Sequence, residues 1–567
     1  MHDLVIRGGT IVDGSGGPAR SGDVAVDGGR LRQVGGKAGA ARRELDADGL
    51  LVTPGWVDIH THYDGQVTWD ALLSPSCWHG VTTVVMGNCG VGFAPVRPGT
   101  QEYLIRLMEG VEDIPGTALA EGIRWEWESF PEYLDALGRR FFALDVAAQV
   151  PHGALRFYAM GERGADHAEA PTADEIDAMG RLVRDAVRAG ALGFTTSRTR
   201  NHRASDGRFT PSLTAPEAEL VGIARRMGEA GLGVFEVVSD FAGGAAEWAI
   251  FRRMVEVSGR PMSISIAQAD AAPESWRAAL AILAEANAAG LPMKAQVAAR
   301  AIGLVLGLDA TLHPFSSHPG WRALAALPRA ERLARLRDPA QRAKLLAEKP
   351  AEALAGILFA FDRIFPLGDP PDYEPGPEQS VAAEAARRGV AAAELAYDLL
   401  LDEEGRKLLY RPILNYSAGN LDAAREMLLH EHAVPGLGDA GAHVGLICDG
   451  SFPTFLLSHW GKDRVRGPKL PVERLVRSQT CETAALVGLR DRGRIAPGLK
   501  ADLNLIEWEA LGVRRPEIAF DLPAGGKRLV QRATGYRASL VSGALTFEDG
   551  EPTGELPGRL VRGARGA

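Results

Sequence analysis

The 567-residue chain is poor in cysteine, has no excess of positive charge and holds no apolar run long enough to span a bilayer. Its four cysteines, Cys77, Cys89, Cys448 and Cys481, lie far apart without a Cys-x-x-Cys pair. That spacing argues against a disulfide framework and makes a reduced, cytoplasmic chain the expectation. Lysine and arginine number 63 against 72 aspartates and glutamates, a net charge of −9. A nucleic-acid or anionic-membrane partner needs a net basic face and is not expected. The opening residues, MHDLVIRGG, lack both the basic and the apolar segment of a secretory signal. Lysine is also missing from the whole interval between Lys37 and Lys294.

What is present is ordinary for a folded protein: 46% hydrophobic and 24% charged residues, which argues against wholesale disorder. The length suggests one large domain with a smaller satellite. Near both ends the chain alternates in short glycine-punctuated runs, as in Leu4-Val5-Ile6 and Asp23-Val24-Ala25-Val26, and again over 501–506 and 538–543. Period-two runs predict β-hairpins. A small β domain built from 1–52 and 488–567 is expected, because chain ends in compact proteins often meet.

Between them, over 53–487, eight apolar segments recur at 56–59, 83–86, 145–150, 192–195, 233–237, 262–266, 293–297 and 434–437, most followed by helical stretches. The pattern predicts an α/β fold, a (β/α)8 TIM-like barrel. An open doubly wound sheet is the alternative, since strand order is not written in one sequence. The stretch 173–189 repeats apolar residues at i, i+3 and i+4 and stops at Gly190, the pattern of one amphipathic helix. An insertion at about 300–433 far exceeds the usual connection. It reads as helical over 322–348 and 382–401 and carries Pro366, Pro370, Pro371, Pro375 and Pro377. A lid or substrate wall, or a decoration for contacts between subunits, are the two roles it suits.

Chemistry in such a barrel collects at the carboxyl ends of the strands. His60 and His62 follow the first segment, and two histidines one residue apart on a strand point the same way. Asn88-Cys89 follows the second, His152 the third, Ser197-Arg198 the fourth and Glu236 the fifth. Gln268 follows the sixth, Gln296 and Arg300 the seventh, and Asp439 the eighth. Each alone is more often a hydrogen-bonded structural residue; the joint arrangement carries the weight.

The stretch Val52-Thr53-Pro54-Gly55-Trp56-Val57-Asp58-Ile59-His60-Thr61-His62 resembles the entry strand of the amidohydrolase superfamily. Gly87-Asn88-Cys89-Gly90, Gly488-Leu489-Arg490-Asp491-Arg492-Gly493-Arg494-Ile495 and Gly498-Leu499-Lys500-Ala501-Asp502 narrow the resemblance to the N-acyl-D-amino-acid deacylase branch, called D-aminoacylase-like. The resemblance implies a zinc-dependent hydrolase, with a (β/α)8 barrel and a small β-sandwich made from both termini. Many binuclear members bridge their metals with a carboxylated lysine, which the lysine-free interval cannot supply from the first six strands. Cys89 matches the family's cysteine ligand, and a thiolate suits zinc. Asp439 matches the family's catalytic aspartate, a metal ligand expected to take a proton from water and pass it to the leaving amine. His443, four residues on, is placed to polarise the carbonyl or meet the substrate carboxylate.

The family's histidines on the fifth and sixth strands are absent here. Glu236 is an acceptable replacement ligand, and Gln268 a poor one. The basic residue that should follow the sixth strand is missing too, leaving Arg198, His202 and Arg300 as cations for a substrate carboxylate, beside His152 and Gln268 as further substrate contacts. One zinc ion is expected, with a second left open. Three functions follow: hydrolysis of an N-acyl amino acid, D-configured or not; action on a cyclic or non-amino-acid amide by the same fold; or a metal-free binding or assembly protein. The intact His60, His62, Cys89 and Asp439 weigh against the last. The expected partner is a small amide substrate, and self-association into a homo-oligomer is left open.

Overall fold

The computed structural model describes residues 1–563. Two parallel sheets carry the segments of the chain's middle. Trp56–Asp58, Val81–Met86 and Asp145–Ala148 form a three-stranded sheet, and Val150–Pro151, Gly193–Arg198, Val234–Ser239, Met262–Ser265, Met293–Val297 and Ala433–Pro435 a six-stranded one. Asp145–Ala148 and Val150–Pro151 are two pieces of one strand parted at Gln149, so the strands number eight and run in sequence order. A parallel bridge from Thr61 to Ala440 joins the chain after the last strand to the chain after the first. The second strand, VTTVVM, is buried at every residue, as a β-branched run covered on both faces should be.

Helices pack outside these strands. Ala173–Ala189 forms as the apolar period predicts, and Thr172 with Glu175 makes its capping box. Methionine, leucine and valine on its inner face join the main core, where each fully buried side chain stabilises by about 1.5–3 kcal/mol.

Both ends of the chain share one nine-stranded sheet. Leu503–Ile506 lies between Tyr536–Val541 and Leu51–Pro54, which in turn pairs with His2–Ile11. The C-terminal motif stitches this sheet to the amino ends of the parallel strands. Arg492 Nη1 donates to Thr83 Oγ1 at 2.9 Å and to Asp145 Oδ2 at 2.6 Å, while Lys500 Nζ lies 2.8 Å from the same carboxylate. From this part of the chain the hairpin Glu517–Leu522 and Gly526–Val530 reaches the opposite end, where Leu529 N–H donates to Val444 O at 2.6 Å.

The insertion has its own apolar core, including Leu306, Leu333, Ile364 and Leu409. It is less continuous than its sequence suggests. The stretch 322–348 is three helices, Pro319–Ala325, Arg329–Leu336 and Pro339–Ala347. Pro328 and Pro339 lack the N–H that a through-going helix needs, and Asp338 caps Ala340 and Gln341 instead. The stretch 382–401 is likewise split, into Val381–Arg388 and Ala392–Gly405, at Gly389. Between the helices, Ile302–Leu306, Leu409–Leu414 and Phe365–Pro366 add a small antiparallel sheet.

Candidate active site

His60 and His62 extend the first strand into a buried pocket, each 1% exposed. Asp58 Oδ1 accepts the His60 N–H at 3.1 Å, and Asp439 N–H donates to His60 O at 3.1 Å, so the chain entering the site is held from both sides. The His60 ring is oriented by a directional relay. Ser263 Oγ donates to Phe235 O at 3.3 Å and accepts from Gln296 Nε2 at 2.8 Å. Gln296 therefore turns its oxygen to His60 Nδ1, 2.8 Å away, and the proton must sit on Nδ1. His60 Nε2 is left facing Cys89 Sγ at 3.3 Å and Asp439 Oδ1 at 3.2 Å. His62 is arranged alike, with Nδ1 3.1 Å from Glu112 Oε1 and Nε2 3.6 Å from Asp439 Oδ1.

Cys89 sits in a turn that explains its motif. Gly87 has φ +84°, and a Cβ there would stand 2.1 Å from Gln149 O, so only glycine lets the second and third strands approach so closely. Asn88 Nδ2 donates to Thr61 O at 3.1 Å and Val85 O at 2.9 Å, and its oxygen accepts from Gln149 Nε2 at 3.1 Å. Cys89 itself is left-handed, φ 55°, and its N–H donates to Glu236 Oε2 at 2.9 Å. The fifth-strand carboxylate thus reaches the centre and keeps Oε1 without a hydrogen-bond partner.

The donor set fits a metal ion. Ligand atoms of His60, His62 and Cys89 lie within 4.8 Å of one another, all buried. Three of the gaps, His60–Asp439 at 3.2 Å, His60–Cys89 at 3.3 Å and His62–Asp439 at 3.6 Å, are close to the edges, about 3.3–3.7 Å, of a tetrahedron of nitrogen, oxygen and sulfur around zinc. Charge points the same way. Burial pulls the His60 imidazolium down, but Cys89, Asp439 and Glu236 outweigh it and hold its pKa at about 10. Burial alone would raise the Asp439 carboxyl; the nearby His62 ring and the charges of His60, His62 and His443 hold it below the usual carboxylate range. Burial raises Glu236. A pocket this rich in acceptors must hold positive charge, as protons or as a metal that displaces them.

The Amidohydrolase family model matches residues 43–547. The chain belongs to the amidohydrolase family. It is 29% identical, over 99% of its length and 96% of the relative's, to the N-acyl-D-glutamate deacylase of Alcaligenes xylosoxydans xylosoxydans. It is similar to a solved D-aminoacylase described with a binuclear metal center, at 25% identity and a TM-score of 0.65, covering 99% of this chain and 100% of that one. The fold also matches an N-acyl-D-glutamate deacylase from Bordetella bronchiseptica solved with zinc and a phosphonate inhibitor, at 24% identity and a TM-score of 0.64, over 99% of each chain. The resemblance in the entry-strand and Gly-Asn-Cys-Gly motifs is thereby borne out, and the protein is a hydrolase of amide bonds.

Around the amidohydrolase's centre, two more expected residues come close. His443 lies with Nε2 3.7 Å from Glu112 Oε2, its side chain a quarter exposed. His202 Nδ1 is 3.0 Å from Ser197 Oγ, and burial pushes its pKa down to about 4. Four others are engaged by protein partners. His152 spends both ring nitrogens, on Thr196 Oγ1 at 2.8 Å and Glu219 Oε1 at 3.0 Å, in a buried knot with Arg156. Arg198 is paired with Glu247 at 2.6 Å and also donates to Ala215 O. Gln268 bonds Asn415, Pro273 and Ser417, fastening the sixth strand to the insertion. Arg300 is fully buried over the Tyr373 ring, 3.8 Å from its centroid, and pairs with Asp449 at 3.1 Å. Sequence reasoning gave Gln296 no role and missed Glu112. The only signal for Glu112 is its register: Leu104, Met108 and Glu112 fall in steps of four on the buried stripe of Gln101–Glu112, where a carboxylate is out of place.

Proposed function

We propose that this amidohydrolase removes the acyl group from an N-acyl amino acid, with zinc held by His60, His62, Cys89, Glu236 and Asp439. The observation that carries the reading is the meeting of His60, His62 and Cys89 beside the Asp439 carboxylate. When bound, zinc supplies Lewis acidity to an amide carbonyl and acidity to water at this site. Asp439, kept ionised by its histidine neighbours, takes a proton from the attacking water as its oxygen adds to the carbonyl carbon. The same carboxyl then gives that proton to the amide nitrogen as the C–N bond breaks, releasing a carboxylic acid and a free amine. His443 and His202 flank the reacting groups and bind substrate. One metal is the simplest occupancy, because Glu236 stands where the family has a histidine; the D configuration is favoured by the relatives' substrates.

On this reading the eight parallel strands close as a (β/α)8 barrel over 53–487. Residues 1–52 and 488–567, of which 564–567 lie outside the described residues, form a β-sandwich domain on its amino end, and the insertion at about 300–433 walls the substrate side. Four free cysteines fit a cytoplasmic chain. One observation favours a second reading, a cyclic or non-amino-acid amide: Gln268, at the sixth strand where a basic residue should hold a carboxylate, is wholly engaged in protein hydrogen bonds.

Metal analysis of purified protein, with turnover of N-acyl-D- and N-acyl-L-amino acids, tests both. Bound zinc with preferred turnover of the D series is the expected result. Zinc without turnover of either series moves the substrate to the second reading, and a protein that neither binds zinc nor hydrolyses amides after zinc addition sinks both.

A further inference from the structure

Resting on the zinc-site reading above, we propose that Glu112 is the positioning residue of His62, fixing its ring tautomer and tying it to the loop that carries Asp439 and His443. Glu112 ends the helix Gln101–Glu112 and is 1% exposed. Its Oε1 lies 3.1 Å from His62 Nδ1 and its Oε2 3.7 Å from His443 Nε2. Neither oxygen, nor His62 Nδ1, has a hydrogen-bond partner, and His62 and His443 are the carboxylate's only ion-pair partners among the described residues. A buried carboxylate left to two histidines costs more than an apolar side chain unless it is used.

What it does follows from its chemistry. A carboxylate only accepts, so an anion 3.1 Å from Nδ1 favours the proton on that nitrogen and turns Nε2 toward Asp439. The two histidines of the entry strand are therefore held differently. His60 leans on the neutral amide of Gln296 and His62 on an anion. An anionic partner makes an imidazole the stronger donor, so His62 is the ligand whose strength this chain has raised.

The backbone shows why the carboxylate stays in place. Glu112 O accepts the Val444 N–H at 3.2 Å. The next residue, Asp113, takes the Gly445 N–H at 3.1 Å and the Thr311 hydroxyl at 2.6 Å on its own carboxylate. The helix end is thus pinned to the loop after the eighth strand and to the insertion, and Glu112 transmits that fix to His62.

The test is zinc affinity by chelator competition on wild type, Glu112→Gln, Glu112→Leu and His62→Ala, with circular dichroism as the check on folding. The expected order is wild type, then Glu112→Gln, then Glu112→Leu, with a loss of about 10–100-fold for Glu112→Leu and a smaller one for Glu112→Gln. The visible bands of the cobalt-substituted protein should shift in Glu112→Leu and be largely restored in Glu112→Gln. Folded variants that both bind zinc within about twofold of wild type overturn the proposal. If Glu112→Leu does not fold, the isosteric Glu112→Gln decides alone by the same limit. If wild type binds no zinc, or His62→Ala binds it undiminished, the zinc-site reading itself falls and takes this inference with it.

Discussion

At the amino ends of the parallel strands, Asp145 is buried with Arg492 2.6 Å and Lys500 2.8 Å away, and its other oxygen accepts the Arg559 N–H at 2.9 Å. At the carboxyl ends, both oxygens of Glu112 and one each of Glu236 and Asp58 are buried without a hydrogen bond. Buried carboxylates thus lie near both ends of the strands: Asp145 has both oxygens satisfied, while Glu112, at the end of its helix, has neither. Paired burial holds the terminal sheet against the strands. Each unpaired group at the carboxyl ends costs about 1–3 kcal/mol unless a bound ion satisfies it.

The difference can be broken from either side. The largest expected effect is Asp439→Asn, which should lower kcat by about 10²- to 10⁴-fold while metal analysis finds zinc retained; unimpaired turnover would remove Asp439 from proton transfer. At the other end, Arg492→Met strips Asp145 of one of its two cations. Denaturant unfolding should show a loss of about 3 kcal/mol, with the zinc affinity of the folded fraction unchanged. A matching loss of zinc affinity would mean that the two ends are not independent.

Acid and alkali should sharpen the contrast with the smallest shifts. In the metal-free protein the His60 pKa of about 10 lies above its ordinary value of 6.5. The stability this contributes is whole below pH 6.5 and fades as pH rises through the folded value. Burial would raise Asp145, but Lys500 and Arg492 hold it below its ordinary 3.8. Its contribution is present above that ordinary value and fades as pH falls through the lowered one. Melting curves of the metal-free protein should therefore decline on the alkaline side in a way that zinc relieves, and on the acid side in a way that zinc does not. Equal relief by zinc at both extremes would contradict the division.

His60, His62, Cys89 and Asp439 were readable because each lies in a short contiguous motif whose backbone demands, such as Gly87, are local. The strand segments were readable because burial on both faces leaves a continuous apolar run. Glu112 was not, since its meaning depends on where a distant helix ends. The partners of Arg198, Arg300 and His152 were hidden for the same reason: each looks like a free cation or ligand until Glu247, Asp449 and Glu219 fold against it. In the insertion, the helical composition concealed two proline-marked breaks.

The bridge between Thr61 and Ala440 also sets an order of events. His60 and His62 meet Asp439 only where the first strand finds the segment after the eighth, a closure of high sequence separation whose entropy cost comes before its contacts form. A ribosome-bound chain that has not yet released Asp439 displays His60 and His62 without their partner across that seam. The site is therefore completed by a seam between the two ends of the strand series, and not within any one stretch of the chain.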